Sequence, residues 1–96
     1  MNDTSANVQS VSGPLTFHSV PGIFSASGKW FAGGALTIDL KQVTQADSAG
    51  LALLIEWLRQ ARQAGVSLSF SDIPPQMQVL IRVNGLQDTL INGKAG

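Results

Sequence analysis

Ninety-six residues hold one domain with one hydrophobic core, and leave no room for a second. Apolar residues make up 44% of the chain and charged ones 12%, a balance that excludes a disordered polypeptide. Six Lys/Arg offset six Asp/Glu, so no net field recruits nucleic acid or acidic lipid.

Arg59 and Arg62 are a close basic pair, too few for a phosphate-backbone footprint, and a protein partner suits the charge balance better. Cysteine is absent, which excludes disulfides and thiolate metal sites and fits a reducing compartment. The opening MNDTSANVQS lacks the basic start and apolar core of a secretory signal. The longest apolar run, Ala49 to Ile55, is far below the ~20 residues that span a bilayer. The expected location is the cytoplasm, with any membrane association made through a partner.

Residues 1–7 read as a loose N-terminal tail, 8–91 as the domain and 92–96 as a C-terminal tail. Val8 to Ser12 is expected as an edge strand, closed by a turn or bulge at Gly13-Pro14, because proline cannot donate into a ladder. Leu15-Thr16-Phe17 follows as a short second strand. Ser19 is placed to cap a helix that carries Pro21 in its first turn and Val20, Ile23, Phe24 and Phe31 on one face. Gly22 and Gly28 each weaken that helix by about 1 kcal/mol relative to alanine, so packing must hold it.

The centre of the chain is clearer. Leu36, Ile38 and Leu40 alternate with Thr37 and Asp39 at the two-residue period of a buried strand. The run KQVTQ reads as a loop, after which Leu51, Leu54, Ile55 and Leu58 repeat at helical spacing up to a stop at Gly65. Val66, Leu68 and Phe70 give another strand. Ser71 or Asp72 is expected to cap a third helix, with Pro74 and Pro75 in its opening turn, a core stripe of Met77, Leu80 and Ile81, and an end at Gly85. Leu86, Leu90 and Ile91 add a short final element. The order β-β-α-β-α-β-α predicts a single α/β domain, a mixed sheet of about four to five strands with helices packed mainly on one face.

No catalytic constellation emerges, and the chain is expected not to be an enzyme and to need no cofactor or metal. His18 is the only histidine, placed at a strand-to-helix junction. Ser48, His18 and Asp39 make an arithmetical triad, but G-x-S-x-G is absent around Ser48. The glycines form neither a phosphate loop nor a dinucleotide fingerprint. Asp47 is placed to stabilise the positive end of the central helix, and Ser48 reads as its N-cap. A phosphate on Ser48 would meet free N–H groups and a favourable dipole, although Asp47 would repel it.

The central helix is apolar over a wide arc. Beyond its stripe lie Gly50, Leu53 and Trp57, while Glu56, Gln60 and Gln63 mark the polar side. Either Leu53 and Trp57 pack against a neighbouring helix of the same domain, or they form a partner surface with Trp57 as its aromatic anchor.

The block LTIDL, KQVTQAD and Asp47-Ser48-Ala49-Gly50-Leu51 resembles the STAS family, the domain of sulphate transporters and anti-sigma factor antagonists. GPLTFHSVPGIF looks like that family's early strand and first helix, and VSLSFSDIPPQMQVLIRVNGL like its next strand, loop and helix, so the likeness runs over about residues 8–91. The family has a serine or threonine at the Ser48 position, the phosphoacceptor of the anti-sigma factor antagonists. LALLIEWLRQARQAG is most similar to small stand-alone members that serve as cytoplasmic subunits of a phospholipid-transport ABC complex, which maintains outer-membrane lipid asymmetry in Gram-negative bacteria. What the resemblance implies is a non-catalytic subunit docked on the ATPase through Asp47, Ser48, Ala49, Gly50, Leu53 and Trp57. The alternative it carries is an antagonist switched by a serine kinase at Ser48.

Overall fold

The computed structural model describes residues 7–91. Of the expected tails at 1–7 and 92–96, only Asn7 falls within these residues, and it opens a strand. The described chain runs β1 (Asn7–Leu15), α1 (Val20–Ser27), a 3-10 turn (Gly28–Ala32), β2 (Ala35–Ala46), α2 (Ser48–Ala64), β3 (Ser67–Ser71) and α3 (Pro75–Val83), and ends in a π-helical turn (Gln87–Ile91).

Among the described residues the sheet has three strands in the order β1-β2-β3, all parallel. This corrects the expected mixed sheet of four to five strands. The strand pair expected around Gly13-Pro14 is one continuous strand, with register shifts between Ser10 and Ser12 and between Gly13 and Pro14. An edge strand absorbs proline and bulges that a central strand would not. Each remaining connection is a helical crossover, which returns the chain in the same direction.

KQVTQ is likewise strand and not loop: β2 continues to Ala46 against Ser12–Leu15 of β1. Leu36, Ile38 and Leu40 are buried at period two, and after the register shift Val43 and Ala46 take over. The other face carries half-buried Thr37 and Asp39, with Thr37 Oγ1 3.2 Å from Ser69 Oγ on β3. The core fills the space between sheet and helices with Leu15, Leu36, Ile38 and Leu40 from the strands, Leu54 and Trp57 from α2, and Met77 and Ile81 from α3.

The caps differ from expectation at both later helices. Asp47, not Ser48, is the N-cap of α2, and Pro74 takes that position for α3, leaving Ser71 in β3 and Asp72 at φ +54°. Ser19 stands before α1, but its hydroxyl accepts from Thr16 N–H and donates to Pro14 C=O, so it closes the preceding turn instead of the helix. Gly65, at φ +70°, ends α2 as expected: its N–H donates to Arg62 C=O, and Val66 N–H reaches Ala61 C=O at 2.8 Å. Leu90 of the last turn is buried.

Candidate docking site at the entrance of the central helix

The C-terminal ends of β1 and β2 meet where α2 begins, and Asp47 ties them together. Its backbone N–H donates to Leu15 C=O at 3.2 Å. One carboxylate oxygen accepts from Ala49 N–H at 2.8 Å and Gly50 N–H at 3.4 Å; the other accepts from Phe17 N–H at 3.2 Å, in the turn before α1. Three amide donors stabilise the charged form. The Phe17 N–H first, with those of Ala49 and Gly50, holds the Asp47 carboxyl below the ordinary aspartate value, against a smaller opposing effect of burial.

With Asp47 occupied as the cap, Ser48 is the first helical residue and is exposed. Among the described residues its hydroxyl makes no hydrogen bond. It stands free at the positive end of a 17-residue helix. Gly50 has a different task. A Cβ there would lie 2.6 Å from Leu15 O and 3.0 Å from Leu15 Cβ, so the first turn of α2 packs on the end of β1 only because that side chain is missing.

Two grooves flank this turn. One, between α2 and α3, is lined by Ala46, Asp47, Ser48, Gln76, Val79 and Leu80. Its floor is pinned by Gln76 Oε1, which accepts Ala46 N–H at 3.2 Å. The other, between α1 and α2, runs over Val20, Pro21, Phe24, Ala49, Ala52, Leu53 and Glu56. Three large apolar side chains around the entrance are open to solvent: Phe17 is 75% exposed, Val79 51% and Phe24 37%.

Comparison with known proteins fits this architecture. The family model described as "Mlab, STAS domain" matches residues 2–92, nearly the whole chain. The chain belongs to the STAS family. Solved STAS structures share its fold: the unphosphorylated anti-sigma factor antagonist SpoIIAA superposes with a TM-score of 0.72 at 16% identity, covering 94% of this chain and 83% of that one. A sulfate transporter family protein from Wolinella succinogenes gives 0.71 at 15% identity, covering 96% and 76%. The SulP transporter STAS domain from Vibrio cholerae gives 0.69 at 17% identity, covering 96% and 73%. No curated protein matches the chain in sequence.

This STAS domain keeps only some of the residues read as a contact surface at the surface. Asp47 and Ser48 are exposed and Ala49 is half-buried, whereas Gly50 is buried. Leu53, 2% exposed, is groove floor at most. The aromatic anchor is a correction: Trp57 is fully buried, its indole N–H donating to Ser27 Oγ at 2.8 Å and its ring packed between Trp30 and Phe70. The wide apolar arc of α2 is filled from within the domain by α1 and its 3-10 turn.

Nor does the fold assemble a triad. Asp39 precedes Ala46 by seven strand residues, roughly 23 Å at about 3.3 Å each, and His18 is exposed with its ring edge-on to Phe17. Among the described residues, no group of three or more His, Asp or Glu side chains is placed to hold a metal ion, and no helix is long and apolar enough to cross a membrane. Sequence reasoning missed Phe17 and Val79 as surface residues and Ser27 as a core residue. Ser27 had a signal: it lies seven residues after Val20 and four after Ile23, on the apolar face of α1.

Proposed function

We propose that this STAS domain is an MlaB-like, non-catalytic accessory subunit of a phospholipid-transport ABC complex, which docks on the ATPase subunit through the entrance of α2. On this reading it works at the cytoplasmic side of the inner membrane, held there by its partner, and serves outer-membrane lipid asymmetry. The contact surface is Asp47, Ser48 and Ala49 with the exposed Phe17, Phe24 and Val79 around them, while Gly50, Leu53 and Trp57 shape it from beneath. The observation that carries the proposal is that clustering of exposed apolar side chains about one rigid, hydrogen-bonded helix start. The family match with the Mlab model supports the choice of partner.

The direct test is co-purification with the ATPase subunit of a phospholipid-transport ABC complex from the same cell. Ser48→Arg places a long charged side chain at the centre of the surface while the Asp47 cap remains. It is expected to release the ATPase without loss of folding. Equal retention of the ATPase by the wild type and the variant would remove the proposed interface.

The second reading is an anti-sigma factor antagonist controlled by phosphorylation of Ser48. The free, exposed hydroxyl at the helix start and the likeness to SpoIIAA favour it. Mass spectrometry after incubation with candidate serine kinases decides between them. Phosphate on Ser48, together with weaker kinase binding by the modified form, would favour this second role.

A further inference from the structure

The end of α3 holds a reactive dipeptide in a conformation that keeps its reacting atoms apart. Asn84-Gly85 is one of two Asn-Gly pairs in the chain; the other, Asn92-Gly93, lies outside the described residues. Asn-Gly is chemically labile because the backbone nitrogen of an unhindered glycine can attack the asparagine side-chain carbonyl. Here α3 closes in a Schellman cap: Gly85, at φ +69°, donates its N–H to Arg82 C=O at 3.0 Å, and Leu86 N–H reaches Ile81 C=O at 2.9 Å. The attacking nitrogen is therefore engaged. So is the leaving group, since Asn84 Nδ2 donates to Leu80 C=O at 2.8 Å. At ψ 5° the Gly85 nitrogen eclipses the backbone nitrogen of Asn84 and not its side chain. Both residues are exposed, and helix ends open readily, so each opening of the cap releases all three constraints together.

We propose that Asn84-Gly85 is a self-modification site whose rate is set by the cap of α3. In the opened cap the Gly85 nitrogen gives its proton to solvent and bonds to Asn84 Cγ. The Cγ–Nδ2 bond breaks, and the side-chain nitrogen leaves as ammonia with a proton from water. Water then opens the cyclic imide at either carbonyl, leaving an aspartyl or an isoaspartyl residue at position 84. Neither product restores the original cap. The donor to Leu80 C=O is replaced by a carboxylate, a negative charge placed at the negative end of a helix. The isoaspartyl form also adds a methylene to the backbone, which breaks the spacing of Gly85 and Leu86 to their acceptors. Leu80, whose carbonyl loses that donor, lines the groove between α2 and α3, so the change reaches that wall. The modification is a covalent record of how long the end of α3 has been open, and it stands independently of the docking reading.

The test follows deamidation of the purified full chain in mildly alkaline buffer by peptide-mapping mass spectrometry. Electron-transfer fragmentation places each change at Asn84 or Asn92 and tells aspartyl from isoaspartyl. The folded protein, the same protein unfolded in urea, and folded Ile81→Val are compared. Ile81 is fully buried and anchors the turn whose carbonyl accepts Leu86 N–H, so valine there loosens the cap and leaves the reacting atoms unchanged. The expected result is measurable modification at Asn84 in the folded protein, ~tenfold or more faster in urea, and intermediate in Ile81→Val. Amide hydrogen exchange at Gly85 and Leu86 should be faster in Asn84→Asp than in the wild type, and unchanged exchange would overturn the loss of the cap in the product. Equal rates at Asn84 in folded and unfolded protein would overturn the cap as the control. Modification in urea with none in folded wild type or Ile81→Val would overturn the site itself. If Ile81→Val does not fold, the comparison of folded with unfolded wild type decides alone.

Discussion

Trp57 and Ser27, thirty residues apart, share a hydrogen bond of 2.8 Å in which both side chains are fully buried. Ser27 Oγ also donates to Phe24 C=O at 2.9 Å, so the hydroxyl is satisfied on both sides and the indole N–H has its one partner. This contact fixes α1 on the flank of α2 and explains why a helix weakened by glycine is held in place. Ser27→Ala leaves a buried indole donor unpaired, and the expected loss is about 1–3 kcal/mol. For a domain of this size each kcal/mol lowers Tm by roughly 4–8 °C. In a Trp57→Phe background, where no donor is left to strand, the same change should cost less, and a double-mutant cycle by urea denaturation reads the difference. Equal costs in both backgrounds would show that the bond contributes nothing.

The close approach of Gly50 to Leu15 sets two effects against each other in Gly50→Ala. Alanine gains about 1 kcal/mol in helix propensity over glycine. Against that, the new methyl would meet a backbone oxygen at 2.6 Å, which no rotamer change relieves. Overpacking of this kind costs about 1–3 kcal/mol, and a rigid backbone neighbour places this site at the upper end. The expected outcome is a net loss of stability together with a displaced α2 entrance, visible as shifted amide resonances at Leu15, Asp47 and Phe17. A stabilised Gly50→Ala variant would show that the packing of α2 on β1 is loose.

Much of the centre of the molecule was legible in the sequence because hydrophobic period alone determines it. Leu36, Ile38 and Leu40 at period two mark the first half of β2, and Leu51, Leu54 and Leu58 at helical spacing mark α2; all six are buried. What could not be read depended on position within the sheet. Gly13-Pro14 looks like a turn anywhere except on an edge strand, and the edge is decided by pairing with a segment thirty residues away. The cap of α2 was ambiguous because Asp47 and Ser48 are both good capping residues; Asp47 takes the role because Phe17 N–H and Leu15 C=O hold it there. Local pattern leaves Trp57 open between core and surface, because what buries it is a hydrogen bond to Ser27, thirty residues away.

Gly65 closes α2 in the left-handed region at φ +70°, with open space where a side chain would go. The penalty for any other residue is therefore conformational and not steric. Gly65→Ala should cost about 1–2 kcal/mol. Gly65→Asn should cost less, because asparagine tolerates this conformation better. Thermal denaturation of the two variants gives the order. Alanine tolerated as well as asparagine would mean that the helix end relaxes to another geometry.

Asp47 makes the stability of the helix entrance depend on pH, with a defined sign. Its carboxyl titrates below the ordinary aspartate value in the folded protein, chiefly because of the Phe17 N–H. The unfolded chain therefore takes up the proton more readily, and protonation favours unfolding. The contribution is complete above the unfolded value of about 3.9 and is lost as pH falls through the lower folded value. Asp47→Ala should thus be less stable than wild type near neutrality, with the gap closing in acid. Asp47→Asn keeps a capping oxygen but cannot titrate, so it should lie between the two at neutrality and stay level where the wild type declines. Urea denaturation from about pH 7 down to about pH 2.5 measures the gap. A gap between wild type and Asp47→Ala that held constant over that range would mean that the charge on Asp47, as distinct from its oxygen atoms, does not hold the turn.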